Sequence, residues 1–99
     1  LYYAMLGTRA FTHMVVGEDL AAAEWAERAA RSPGAHVLIA MIASATQAMI
    51  GDDAKAAQWA ANVRSRNPVL TRADFFRAFP MKSEVTRAQV ANALASLGF

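Results

Sequence analysis

The chain has 99 residues, of which 56% are hydrophobic and 18% are charged, and its formal net charge is only +2. This balance excludes a disordered tail, because disordered chains lack the apolar surface that drives collapse. The absence of cysteine excludes a disulfide framework and a thiolate zinc site. Twenty-four alanines against three prolines and five glycines favour helix. One small all-α core is therefore expected.

The first segment, from Leu1 to Val16, contains a single charged residue, Arg9, and predicts an apolar helix. The chain opens on Leu1 rather than on an initiator methionine, so we expect it to begin inside a helix and to be a fragment of a larger protein. The longest weakly polar stretch, Ala35 to Ile50, is too short and too polar to span a bilayer. We expect a cytoplasmic protein without a membrane anchor.

An internal repeat follows the first helix, and segment 17–26 returns without a gap as segment 51–60. The matched pairs are Gly17 and Gly51, Asp19 and Asp53, Ala22 and Ala56, Ala23 and Ala57, Trp25 and Trp59, and Ala26 and Ala60. In each copy, the glycine is expected to end one helix and the neighbouring aspartates (Asp19, Asp52 and Asp53) to cap the next. Alanines at four-residue spacing permit close approach of the paired helix. The repeat therefore predicts two helical hairpins.

The length of the repeat and its matched residues resemble the tetratricopeptide repeat. Pro68 follows the second copy where this family places its terminating proline, and Pro33 follows the first copy one position earlier. Ala40 and Gln47 replace the family's usual aromatic residues in the first helix of the second unit. The resemblance implies two antiparallel hairpins in residues 1–68, at about 3–34 and 37–68, with a concave groove for partners.

Residues 69–99 predict a helical cap. Thr71 and Asp74 have the spacing of a capping box, and three phenylalanines follow in a short helix that Pro80 ends. Ser83 is expected to cap a second helix, which buries one face and ends at Gly98. The phenylalanines are Phe75, Phe76 and Phe79, and the buried face is Val90, Leu94 and Leu97. Two capping helices are expected to close the last apolar face of the solenoid.

A finer resemblance concerns the C-terminus of certain bacterial regulators. The residues that carry it are Asn67-Pro68, Leu70-Thr71, Asp74-Phe75, Phe79-Pro80, Arg87, Ala93-Leu94 and Leu97-Gly98. In those proteins a tetratricopeptide tail follows a class III adenylate cyclase domain or a winged-helix DNA-binding domain. Met81 stands where an aromatic residue is expected. The resemblance implies the regulatory tail of a multidomain signalling protein.

No catalytic, cofactor or metal site is predicted. The acidic pairs Glu18-Asp19 and Asp52-Asp53 lie at helix starts, where capping explains them. His13 and His36 are far apart and lack partners at metal-ligand spacing. Residues 64–99 carry six basic and two acidic groups, but helix termini and core packing explain these residues better than nucleic acid does. The basic residues are Arg64, Arg66, Arg72, Arg77, Lys82 and Arg87.

The first helices of the two hairpins carry the candidate partner site. Because they are apolar on nearly all sides, they must be covered on nearly all sides. The resemblance places five residues in the groove: Phe11, Met14, Met41, Ala45 and Met49. The cover is a partner helix or peptide, a second copy forming a homodimer, parent repeats, or the chain's own core and cap. The leading hypothesis is an interaction or self-association module. The alternatives are an inert cap of a longer solenoid and the tail of a DNA-binding regulator.

Overall fold

Six α-helices make up the regular structure of residues 2–99, and that part of the chain contains no β-strand. The computed structural model describes the backbone of residues 2–99 and the side chains of residues 3–99, so the helical start predicted at Leu1 lies outside it. The helices are α1 (Tyr2–Val15), α2 (Asp19–Arg31), α3 (Val37–Met49), α4 (Asp53–Arg66), α5 (Arg72–Ala78) and α6 (Glu84–Ser96). The predicted all-α class is confirmed.

Each tryptophan-bearing helix packs against the apolar helix before it, α2 against α1 and α4 against α3. The alanines predicted at these contacts are at most 1% exposed. They are Ala22, Ala26, Ala56 and Ala60. Since a short turn joins the helices of each pair, they form two antiparallel hairpins, with small side chains where the backbones approach most closely.

The two turns have the same backbone structure. Gly17 and Gly51 adopt φ angles of 82° and 84°, a left-handed conformation that glycine accepts without strain. In the first turn the amide of Glu18 donates to the carbonyl of His13, and in the second Asp52 donates to Gln47, both at 2.9 Å. His13 and Gln47 are separated by the same number of residues as Gly17 and Gly51, and so are Glu18 and Asp52. The sequence repeat is therefore also a repeat of backbone structure.

The helix starts confirm some of the predicted caps and correct others. Asp52 caps α4 by accepting a hydrogen bond from the amide of Lys55 at 3.1 Å. The capping role predicted for Asp19 and Asp53 is wrong, because each is the first residue inside its helix. Glu18 holds the N-cap position of α2 and makes no side-chain capping bond. Acidic groups in the first turn nevertheless interact favourably with the helix dipole.

The predicted C-terminal helices are present with their predicted caps. Thr71 and Asp74 form the reciprocal bonds of a capping box at the start of α5. The Ser83 hydroxyl accepts a hydrogen bond from the amide of Thr86 at 3.3 Å and so caps α6. Gly98 follows the end of α6 with a φ of 90°. Local sequence therefore determines where both helices begin and end.

The C-terminal pair, α5 and α6, covers a different face from the expected one. Helix α6 packs against α3, and the Phe79 ring lies 5.4 Å from the Phe11 ring of α1. The outward side of α4, which was expected to be closed, exposes Ala54, Ala57 and Ala61. Every residue of α3 from Ile39 to Gln47 is buried. The central helix has no charged side chain, and the C-terminal pair provides part of its cover.

Candidate functional site

The five residues predicted to line a partner groove lie beneath the C-terminal pair. Met14, Met41 and Ala45 are 0% exposed, and Phe11 and Met49 are half-buried. All five belong to or pack against one hydrophobic cluster that also contains residues of α5 and α6. In this conformation the chain's own helices fill the predicted groove. Partner binding there stays a prediction, and it requires the C-terminal pair to move away.

The three phenylalanines of the α5 segment pack together in or against the hydrophobic cluster. The Phe75 ring is fully buried, and its centroid lies 5.4 Å from that of Phe76 and 5.1 Å from that of Phe79. Such ring pairs contribute about 0.5–1.5 kcal/mol beyond their buried area. The phenylalanines therefore pack as core residues, as expected from their spacing, and do not form an exposed stacking surface.

Several of the C-terminal basic residues make contacts within the chain. The guanidinium of Arg87 lies 4.2 Å from the Phe76 ring centre, and that of Arg64 lies 4.7 Å from the Phe99 ring centre. Arg66 donates to the carbonyl of Ala35 at 2.6 Å, which ties the end of α4 to the start of α3. These interactions give Arg64, Arg66 and Arg87 structural roles.

The titratable groups singled out by sequence serve turns and caps. The Nδ1 atom of His13 lies 3.1 Å from a carboxylate oxygen of Glu18 in the first turn. His36 caps α3, where its Nδ1 accepts from the amide of Leu38 at 3.1 Å. Among residues 2–99, no three His, Asp or Glu side chains lie close enough together to hold a metal ion.

Among residues 3–99, one carboxylate has a clearly altered pKa, and it also belongs to a cap. Hydrogen bonds from the backbone amide and then the hydroxyl of Thr71 lower the pKa of Asp74, and Arg77 lowers it further. The Arg77 guanidinium lies 3.0 Å from the Asp74 carboxylate. All three contacts favour the charged carboxylate. The shift reflects the capping box and does not mark a reactive site.

A small cleft lies where α6 meets the hairpins, and sequence reasoning missed it. Its volume is about 410 Å³, and it opens beside the start of α2 and the end of α3. The lining residues are Asp19, Ala48, Met49, Gln89, Asn92 and Ala93. One carboxylate oxygen of Asp19 is buried and has no hydrogen-bond partner among the described residues. The sequence feature that could have indicated this cleft is the polar pair Gln89 and Asn92, which share one face of α6.

The outer face of α1, defined by Met5, Thr8, Arg9 and Thr12, is exposed, and Met5 is 72% exposed. The repeat counterparts of these residues in α3 are at most 8% exposed. They are Ile39, Ile42, Ala43 and Thr46, in the same order. One helix position is thus covered in the second repeat and open in the first.

The first hairpin provides the cover of α3. A Cβ atom on Gly7 of α1 would lie 2.7 Å from Cδ1 of Ile39, so the two helices are in close contact there. The side-chain amide of Gln47 reaches the carbonyl of Ala23 in α2 at 3.5 Å. Within residues 2–99, the outer face of α1 has no equivalent neighbouring hairpin, because the hairpin of α1 and α2 is the first.

Cationic groups border this face. The guanidinium of Arg9 lies 4.2 Å from the Trp25 ring centre, and that of Arg28 lies 4.6 Å from it. Trp25 is half-buried. Two arginines therefore shield one indole at the edge of the open face.

No helix among the described residues has both the length and the apolar character needed to cross a membrane. No family model, curated protein or solved structure matches the chain.

Proposed function

We propose that the chain is a non-catalytic self-association module, which joins copies of its parent protein through the outer face of α1. One observation carries the proposal. Met5 is 72% exposed, whereas its repeat counterpart Ile39 is 8% exposed because a helical hairpin packs on it. The same repeat position is thus a packing surface in one hairpin and an open surface in the other.

The size of this face indicates weak association. Val16 extends it into the turn and Leu20 lies just beyond, both 64% exposed. Burying a side chain of this kind contributes about 1.5–3 kcal/mol. Because association costs about 4–15 kcal/mol in lost freedom, a few such side chains support a dissociation constant no tighter than roughly the millimolar range. Weak association suits a module whose parent protein is brought together by other contacts as well.

The C-terminal residue pattern supports a location at the end of a cytoplasmic signalling protein. Its likeness to the tails of bacterial adenylate cyclases and winged-helix regulators is the basis for this part of the proposal. A self-associating tail in that position brings two upstream effector domains together. The parent's activity then belongs to the effector domain, and the present chain contributes no catalytic group.

A second candidate is an inert structural cap that ends a longer solenoid. The filled groove favours it, because Met14, Met41 and Ala45 are 0% exposed beneath the C-terminal pair. A chain of this kind binds no partner at the groove and stays monomeric. The two candidates therefore predict different masses in solution.

Sedimentation velocity over a range of concentrations tests the proposal. The sedimentation coefficient of the wild-type chain is expected to rise with concentration, and that of Met5→Arg to stay at the monomer value. Val85→Arg is the matched control, because Val85 is 70% exposed on α6, away from α1. It should behave like the wild type. A wild-type chain that stays monomeric at every concentration contradicts self-association and supports the inert cap.

A further inference from the structure

We propose that the cleft between α6 and the two hairpins binds a small alkylammonium ion, whose cationic group pairs with the carboxylate of Asp19. None of the residues that line this cleft belongs to the outer face of α1. The site is therefore separate from the surface of self-association and adds a second kind of binding.

Three helices form the walls of the cleft. The start of α2, the last turn of α3 and the middle of α6 line it, and α6 packs against α3. Its volume of about 410 Å³ lies within the range of about 300–1,000 Å³ that small-molecule sites span. Because all the lining residues lie in helices, helix packing fixes the shape of the cleft.

Asp19 carries the charge of the cleft. The residue is half-buried, and one of its carboxylate oxygens is buried without a hydrogen-bond partner among residues 3–99. Burying part of a charged group is unfavourable unless another group compensates the charge. Since the buried oxygen receives no donor, the compensation has to come from the part of the carboxylate that remains accessible at the cleft. A cationic ligand supplies it.

The charge of the lining selects a cation over an anion. Of the six described residues that line the cleft, only Asp19 is charged. The last turn of α3 contains no basic side chain. The start of α2 and the end of α3 add partial helix-dipole charges of opposite sign, which largely cancel. The full negative charge of Asp19 therefore decides the sign of the ligand.

The neutral lining residues suit an ammonium group on a hydrocarbon chain. An ammonium has three N–H donors, and a carboxylate and two carboxamide oxygens are three acceptors. The carboxamides are those of Gln89 and Asn92, which are exposed on one face of α6. Met49 and Ala93 provide apolar surface for the methylene groups.

The repeat provides a matched residue outside the cleft. Asp53 is the counterpart of Asp19, and each is the first residue of its helix. Asp53 is exposed and does not line the cleft. Asp19→Asn and Asp53→Asn therefore remove the same charge from the same helix position, and only Asp19→Asn removes it from the cleft.

Titration of the full chain with n-butylammonium chloride, followed by two-dimensional NMR of the amide groups, tests the proposal. The side-chain amide signals of Gln89 and Asn92 should shift and reach saturation. Asp19→Asn should lower the association constant by about tenfold, because a hydrogen bond to a charged group is lost. Asp53→Asn should leave it unchanged. Asn92→Ala, at an exposed position, should lower it by about threefold through the loss of a neutral acceptor.

Two further probes sharpen the test. Sodium butyrate, an anion of similar length, should give no saturable shift. The amide of Nα-acetyl-lysine separates the two sources of an ammonium group: binding as tight as that of butylammonium indicates a lysine side chain of a peptide, and weaker binding indicates a free amine. The proposal is overturned if butylammonium gives no saturation, if butyrate binds equally well, or if the two aspartate variants bind butylammonium with equal affinity.

Discussion

Helices α1 and α3 occupy the same position in the repeat but have different surroundings. Every residue of α3 from Ile39 to Gln47 is buried, because hairpin neighbours and α6 surround it. Helix α1 packs against α2 and α3 and contacts Phe79 just after α5, and its outer face is open. The sequence reflects this difference, with Thr8 and Arg9 where α3 has Ile42 and Ala43. A repeat position thus specifies a helix and its turn, whereas the neighbours decide which faces are buried.

The largest expected effect on stability comes from truncating Ile42 of α3, and the comparison is the same truncation at its repeat counterpart in α1, Thr8. Ile42→Ala in α3 removes a side chain that is 0% exposed and should lower the free energy of unfolding by about 2–5 kcal/mol. Thr8→Ala in α1 should change it by less than about 0.5 kcal/mol, because Thr8 is exposed. Urea unfolding followed by circular dichroism measures both. Equal losses would show that the outer face of α1 is not open.

A smaller effect concerns the inner side of α1, where Phe11 contacts Phe79 just after α5. The Phe11 and Phe79 rings lie 5.4 Å apart, so a double-mutant cycle of Phe11→Leu and Phe79→Leu should give a coupling of about 0.5–1.5 kcal/mol. The measurement is the free energy of unfolding of the four proteins. Phe76→Leu replaces Phe79→Leu in the control cycle and should give a smaller coupling. A coupling of zero for the first cycle would contradict the position of the C-terminal pair.

A further effect comes from replacing Arg9 of α1 by alanine, the residue that α3 has at the corresponding position, Ala43. Arg9→Ala removes the guanidinium 4.2 Å from the Trp25 ring centre and should cost about 0.5–1 kcal/mol. In a Trp59→Phe background, the emission of Trp25 should shift to longer wavelength as water reaches the ring. Arg31→Ala is the control, because Arg31 pairs with Glu27 and should leave the emission unchanged. An unshifted spectrum for Arg9→Ala would argue against the stacking.

The smallest effect concerns the cap that begins α5. Since the pKa of Asp74 is lowered in the folded chain, its stabilising contribution is present above the ordinary value of 3.8 and is lost as pH falls through the lowered value. Thr71→Ala removes the hydroxyl's hydrogen bond and keeps that of the backbone amide, so it should raise the pKa of Asp74 part of the way toward 3.8, as measured by NMR titration of the carboxylate. Arg77→Gln should also raise it, because this substitution removes the positive charge beside the carboxylate. An unchanged pKa in Thr71→Ala would contradict the capping box.

Interactions between near neighbours made much of the fold predictable. The positive φ of Gly17 and Gly51, the cap at Asp52 and the capping box at Thr71 each involve residues within a few positions of one another. Patterns of this range are visible in a sequence. The place of Asp19 inside its helix was missed, because Glu18 and Asp19 are both suitable for the first turn of a helix and backbone geometry chooses between them.

The sequence by itself determined the helices, most of their limits and the pairing within each hairpin, because these depend on local hydrogen bonds and on small residues at helical spacing. It also required that α3 be enclosed, since the segment from Ala35 to Ile50 has no charged side chain. Only the tertiary structure decided what encloses it. Several apolar covers satisfied the pattern equally. Contacts between distant residues, such as Phe11 with Phe79, selected the C-terminal pair, and within residues 3–99 the outer face of α1 and the outward side of α4 are exposed.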